Sequence, residues 1–266
     1  MKRCFFLAAI FFIAFGGKGQ SIDTLVAIGG SRLHFSIVSG KGMPILFEAG
    51  GANDGTTWKA LLPDVSAATG APLIVYDRPG FGRSSIDSGN HTIVGAIREL
   101  EEGLRRLGFN GPIMLVAHSL GGFYSTLYAY RNPDKVKGVV LIDANVIQFY
   151  TPKRVAFYAE IDDGEAEKWR DTHPGIYYIF KDFVHTLDVM RVSPFPEALP
   201  VTDIVSEKTP FLESADSLAW MRAHVEFDHA GRNRKGIVAY GAGHYVYRDS
   251  PLLTVDAILQ LYKESR

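Results

Sequence analysis

The stretch from Ile113 to Arg131 constrains this chain more than any other. Ile113 to Ala117 is an apolar run, short enough for a buried strand. After Gly122, the residues Phe123, Leu127, Tyr128 and Arg131 follow a helical spacing that stops at Asn132-Pro133. Between the two lies Ser119, flanked by His118 and Leu120 and followed by Gly121-Gly122. A strand that feeds a helix through one serine holds the hydroxyl on a sharp bend above a sheet. A side chain at Gly121 or Gly122 would push the helix off the strand. The helix N-terminus then faces the serine with free N–H groups and a partial positive charge, which favour a developing oxyanion. The pattern departs from G-x-S-x-G only at Ala117, where the next smallest residue replaces the first glycine.

The chain begins Met1-Lys2-Arg3 and continues as the apolar run Cys4 to Phe15, closed by Gly16-Gly17-Lys18-Gly19-Gln20. A basic start, a short apolar run and a small-residue end describe a secretory signal peptide over residues 1–20. The run is too short to span a bilayer comfortably, so no stable span is expected after cleavage. The expected destination is the periplasm or the outside of the cell. Removing residues 1–20 takes Lys2, Arg3 and Lys18 and no acid, so the net charge moves from −1 to −4. Neither value suggests a nucleic-acid partner. Cys4 is the only cysteine, so the remaining chain has no disulfide or thiol chemistry. It must hold by core packing, which 47% apolar residues permit.

Residues 22–38 read as two antiparallel edge strands joined at Gly29-Gly30-Ser31. Buried strands are expected at 44–47, 73–76, 113–117, 136–142, 200–205 and 237–240, and helices at 58–66, 91–107, 214–226 and 251–262. Residues 145–199 differ, because aromatics crowd among charges without strand-like runs. They predict a small helical insertion at about 146–199 within a single domain over 21–266. Strands alternating with helices imply a mostly parallel sheet covered on both faces, an α/β architecture.

Three segments in order carry a resemblance: Asp77-Arg78-Pro79-Gly80-Phe81-Gly82-Arg83-Ser84, then Ala117-His118-Ser119-Leu120-Gly121-Gly122, then Gly243-His244 before a final helix. Together they resemble the α/β-hydrolase superfamily over essentially the whole chain after residue 20, apart from the insertion. The resemblance implies an α/β-hydrolase fold with a helical cap after the strand ending at Asp143. It also implies a Ser–His–acid triad in that chain order.

Ser119 is then the nucleophile and His244 its base, carried on the Gly241-Ala242-Gly243 loop. His118 adjoins the nucleophile, but neighbours on a strand point opposite ways, so it packs below the sheet or beside the site. His173, His185, His224 and His229 show no metal spacing and read as surface or cap residues. The oxyanion hole would use the backbone N–H groups of Leu120 and Gly51. Many relatives carry His-Gly where this chain has Glu48-Ala49-Gly50-Gly51. The loop Asp77–Ser84 buttresses the site and is assigned no chemistry. The acid stays open. In most of the superfamily it follows the strand after the cap, where this chain has Thr209, which carries no charge. Glu207 lies two residues earlier, while Asp143 stands at the tip of the strand before the cap. Asp143 is the first choice and Glu207 the alternative.

These features imply a carboxylic ester hydrolase that works through an acyl-enzyme on a small molecule with an apolar acyl or alcohol part. An amidase or aminopeptidase on the same triad is the nearest alternative, and a non-catalytic ligand-binding protein on the same scaffold is the other. Nothing in the sequence calls for a metal or organic cofactor.

Overall fold

The computed structural model describes residues 21–87, 89–160 and 163–266. The expected signal peptide at residues 1–20 lies outside them. Eight strands form one sheet: β1 Ser21–Ile28, β2 Ser31–Val38, β3 Ile45–Glu48, β4 Leu73–Tyr76, β5 Ile113–His118, β6 Val136–Ile142, β7 Val201–Ser206 and β8 Arg234–Ala239. Their spatial order is β1-β2-β4-β3-β5-β6-β7-β8. The β1–β2 hairpin is antiparallel and joins β4 antiparallel. All other pairings are parallel.

The central strand explains why its sequence is apolar without alternation. On β5, Ile113, Leu115 and Ala117 face one core, and Met114 and Val116 face the other. A strand covered on both sides has no polar face. The first core is closed by helices α2 (Ile93–Arg106), α3 (Gly121–Arg131) and α8 (Ser214–His229). The second is closed by α1 (Leu62–Thr69), α9 (Val246–Asp249) and α10 (Pro251–Glu264). Each fully buried Leu, Ile, Val or Phe on these faces contributes about 1.5–3 kcal/mol. Between β6 and β7 run α4 (Pro152–Ala159), α5 (Asp163–Glu167), α6 (Pro174–Lys181) and α7 (Phe183–Arg191), and among the described residues no strand of the sheet falls between them.

Most boundaries shift by one to three residues, and two of the shifts have a readable cause. The helix expected at 58–66 starts at Leu62, where Pro63 fills the first turn and needs no hydrogen-bonded N–H. Residues 55–58 instead form a tight 3-10 turn, whose Thr56 N–H donates to the Asp54 carboxylate. The last strand starts at Arg234 rather than 237, because Val201 on β7 pairs with Arg234. Tyr240 lies beyond it and is exposed.

Candidate active site

β5 ends at His118, and α3 starts at Gly121, so Ser119 occupies the bend between them. Its φ is 53°, and Asp143 has 43°; among the described residues these are the two non-glycine positions with positive φ. That conformation costs a residue with a Cβ roughly 1–3 kcal/mol, and such strain clusters at functional sites. The bend is held from both sides, as Ser119 N–H donates to the Ile142 carbonyl (3.2 Å) and Asn145 N–H donates to the Ser119 carbonyl (2.8 Å). Gly121 is required by contact. A Cβ there would sit 2.7 Å from the Ala49 carbonyl oxygen.

Asp143 lies just past β6, the strand beside β5, and is fully buried. His244 arrives from beyond β8, reaching across β7. Its loop is tied down by Lys208 N–H to the Ala242 carbonyl (3.0 Å) and Gly243 N–H to the Asp249 carboxylate (2.8 Å). The imidazole Nδ1–H donates to Asp143 Oδ2 at 2.6 Å, and Nε2 faces Ser119 Oγ at 3.0 Å. The acceptor at Nδ1 fixes the tautomer and leaves the Nε2 lone pair toward the hydroxyl.

Asp143 is well supplied with donors. Ser206 N–H and Trp220 Nε1–H both reach Oδ1 at 3.0 Å, and Ser206 Oγ–H reaches Oδ2 at 3.0 Å. Burial alone would raise its pKa, but the bonds from His244 and Trp220, the His244 charge and the Ser206 N–H together hold it below the ordinary carboxylate value. The carboxylate therefore stays ionised.

Glu207, the alternative acid, points elsewhere. Its Oε2 accepts the Gly241 N–H at 2.7 Å, so it braces the loop that carries His244. The structure brings Asp143, not Glu207, to the imidazole. His118 lies beside the site rather than below it. Its Nε2–H donates to the His244 carbonyl at 2.9 Å. Burial, with the His244 charge next, pushes its pKa down to about 3, so the ring is neutral. His224 corrects the surface reading, because it is buried on α8 with Nδ1 bonded to Asp203 Oδ2 at 2.6 Å. His173, His185 and His229 are exposed.

The Gly50-Gly51 loop after β3 lies against Ser119. A Cβ on Gly50 would fall 3.4 Å from Ser119 Cβ, and one on Gly51 would fall 3.5 Å from Leu120 Cβ. Among the described residues, no acceptor takes the N–H of Gly51 or of Leu120. Both expected oxyanion donors are thus unspent and adjacent to Ser119. Sequence reasoning missed Trp220 and Ser206, whose bonds to Asp143 span long stretches of the chain. Among the described residues, no group of three or more His, Cys, Asp or Glu is arranged to hold a metal ion. Among the described residues, no helix is long and apolar enough to cross a membrane.

A strand-borne serine, a loop-borne histidine and an acid at the end of the next strand, on this sheet order, define an α/β-hydrolase fold. Residues 43–182 match the sequence profile of the alpha/beta hydrolase fold family, and the chain belongs to it. It is 32% identical over 127 residues to the uncharacterized protein YqjL of Bacillus subtilis, covering 47% of this chain and 49% of that one. It is 37% identical over 82 residues to a (lyso)-N-acylphosphatidylethanolamine lipase of Bos taurus, covering 29% of this chain and 24% of the lipase. The matched segments thus span half or less of these relatives. A thermophilic esterase from Thermogutta terrifontis superposes with a TM-score of 0.67 at 20% identity, covering 92% of this chain and 99% of that one. At that identity the likeness concerns the fold.

Proposed function

We propose that the protein is a serine hydrolase that cleaves carboxylic esters through an acyl-enzyme. The observation that carries this reading is the unbroken chain Ser119 Oγ–His244 Nε2–Nδ1–Asp143, at 3.0 and 2.6 Å. Ser119 Oγ attacks the ester carbonyl carbon while its proton passes to His244 Nε2. The carbonyl oxygen becomes an oxyanion between the N–H groups of Leu120 and Gly51. On collapse, the alkoxide leaves with the proton from His244. Water, deprotonated by His244, then attacks the acyl-enzyme, and the acid departs as Ser119 recovers its proton.

An apolar acyl or alcohol part of the substrate belongs to the same reading. Beside Leu120, a narrow cavity is lined by Phe81, Ile86, Tyr124, Ile179 and Phe183 together with His91, Asp182 and Thr186, and its aromatic side supports that part of the reading. p-Nitrophenyl esters of graded chain length, run beside aminoacyl anilides, test the reading. Ester turnover and fluorophosphonate labelling are expected in the wild type, and both should be lost in Ser119→Ala. Faster cleavage of the anilides would replace the esterase by an amidase. An unlabelled, inactive wild type would favour the ligand-binding alternative. Export through residues 1–20 belongs to the same proposal. The secreted or periplasmic form should begin near residue 21 by N-terminal sequencing, and a Met1 start would overturn it.

A further inference from the structure

The segment Glu48-Ala49-Gly50-Gly51 stands where many relatives carry His-Gly, and Arg78 lies in a loop with no assigned chemistry. Glu48 and Arg78 meet in the core. Arg78 Nη1 donates to Glu48 Oε1 at 3.0 Å, and the Tyr76 hydroxyl donates to Glu48 Oε2. The guanidinium does not stop at its counter-ion. Nη1 also donates to the Ala49 carbonyl at 2.7 Å, and Nη2 donates to the carbonyls of Gly50 and, at 3.2 Å, Gly51. Its faces rest on Tyr124 and Phe81, 4.8 and 5.0 Å from the ring centroids. The Arg78 side chain is 2% exposed.

We propose that Arg78 is the positioning residue of the oxyanion site, holding three successive carbonyls so that the Gly51 N–H is presented to the reacting carbonyl oxygen. The inference rests on the reading of Ser119 as the acyl nucleophile. Two adjacent glycines have no Cβ to select one orientation of the peptide between them. A trans peptide is planar, with its C=O and N–H on opposite sides. The Gly50 carbonyl is taken by Arg78 and by the Asn53 N–H at 3.2 Å. The Gly51 N–H of that same peptide must therefore point away from Arg78. A flipped peptide would offer a carbonyl in place of that N–H and repel the oxyanion. The loop is gripped from its other side too, because α3 packs on it at Gly121 without room for a Cβ.

The cost of the arrangement favours a positioning role over simple stabilisation. Burial pushes the Glu48 carboxyl up to about 7 in spite of Arg78 and Tyr76. A buried ion pair is a poor stabiliser compared with apolar residues of the same volume. Here the pair also fixes a backbone segment that touches the nucleophile.

The test compares wild type with R78K, R78M and the double variant R78M/E48Q, in which no charge is left buried alone. Steady-state hydrolysis of a p-nitrophenyl ester is measured beside inhibition by a trifluoromethyl ketone, which forms a tetrahedral adduct. In R78M and in the double variant, kcat should fall about 100-fold with KM nearly unchanged, the size of losing one oxyanion donor. Ketone affinity should fall by the same factor as kcat/KM, while binding of the non-reactive alcohol analogue of that ketone holds. R78K should recover part of the loss. A folded double variant with wild-type kcat, or with undiminished ketone affinity, would falsify the proposal. Wild-type turnover and fluorophosphonate labelling are measured first. Their absence would remove the Ser119 reading itself, so the two failures are distinct.

Discussion

Two histidine–aspartate pairs lie at neighbouring strands of the sheet, and each is closed by an Nδ1–Oδ2 bond of 2.6 Å. In one, Asp143 follows β6 and His244 comes from the loop after β8. In the other, Asp203 is within β7 and His224 is on α8. Bond length alone does not separate them. The far nitrogen does. His244 Nε2 meets a serine hydroxyl, and its side chain is 22% exposed. His224 Nε2 is buried and has no partner among the described residues, and its side chain is 2% exposed. Trp220 stands between the pairs, donating to Asp143 Oδ1 while its ring centroid lies 4.9 Å from that of His224. Burial opposes charge on His224, but Asp203 and, more weakly, Asp143 and Asp228 raise its pKa above the ordinary value. The lesson is that the His–Asp bond alone does not mark a candidate base; the contact of the second nitrogen and its access to solvent do.

The sharpest way to break that comparison is to disable each pair in turn. Asp143→Asn should lower kcat about 10³–10⁴-fold with the fold retained, since the amide no longer fixes the tautomer or steadies the imidazolium. Glu207→Gln should stay within about tenfold, because its carboxylate braces a loop and does not touch the base. If Glu207→Gln suffers the larger loss, the acid lies after the cap. Asp203→Asn should act on stability instead, costing about 1–3 kcal/mol by weakening the buried hydrogen bond to His224. Urea unfolding reads that loss, and kcat of the folded variant should remain within about tenfold of wild type. A folded Asp203→Asn enzyme as slow as Asp143→Asn would erase the division between the pairs.

How far this was legible depended on distance along the chain. The Ser119 turn is local, because strand, serine, glycines and helix lie within nineteen residues, 113–131. The parallel sheet followed from apolar runs alternating with helical spacing. His244 was legible from its glycine loop before a final helix. The acid was only half legible, since sequence could place carboxylates at strand tips but not decide which one the imidazole reaches. The contact that decides it, His244 on Asp143, spans 101 residues, and Ser206 and Trp220 reach the same carboxylate across 63 and 77. Arg78 on Gly50 spans 28 and has no periodic signature. His224 was misread because one histidine on a helix of weak amphipathicity does not declare its face. The helix expected from Trp58 begins only at Leu62, with Pro63 in its first turn.

A third histidine sharpens the comparison at a smaller scale, because it is buried without an acid. His118 spends Nε2–H on the His244 carbonyl, and its Nδ1 is buried without a partner among the described residues. Gly50 closes over that nitrogen, since a Cβ there would fall 2.8 Å from it. A second proton would have no acceptor and would sit beside His244. Its pKa is accordingly pushed down to about 3, by burial first and the His244 charge next. Between that value and the ordinary 6.5, the unfolded chain binds a proton that the native protein refuses. Stability therefore falls as pH falls through this window. Glu48 and Asp228, each pushed up to about 7 by burial above all, slope the opposite way, because the native state binds their protons first. The informative quantity is thus the difference between wild type and His118→Gln, which shares those two groups. Between pH 7 and about pH 4.5, wild type should lose about 2–3 kcal/mol more than the variant, in unfolding curves at both pH values. Parallel losses would mean that His118 accepts its proton in the folded protein, and that a buried imidazole beside the site needs no acid to carry charge.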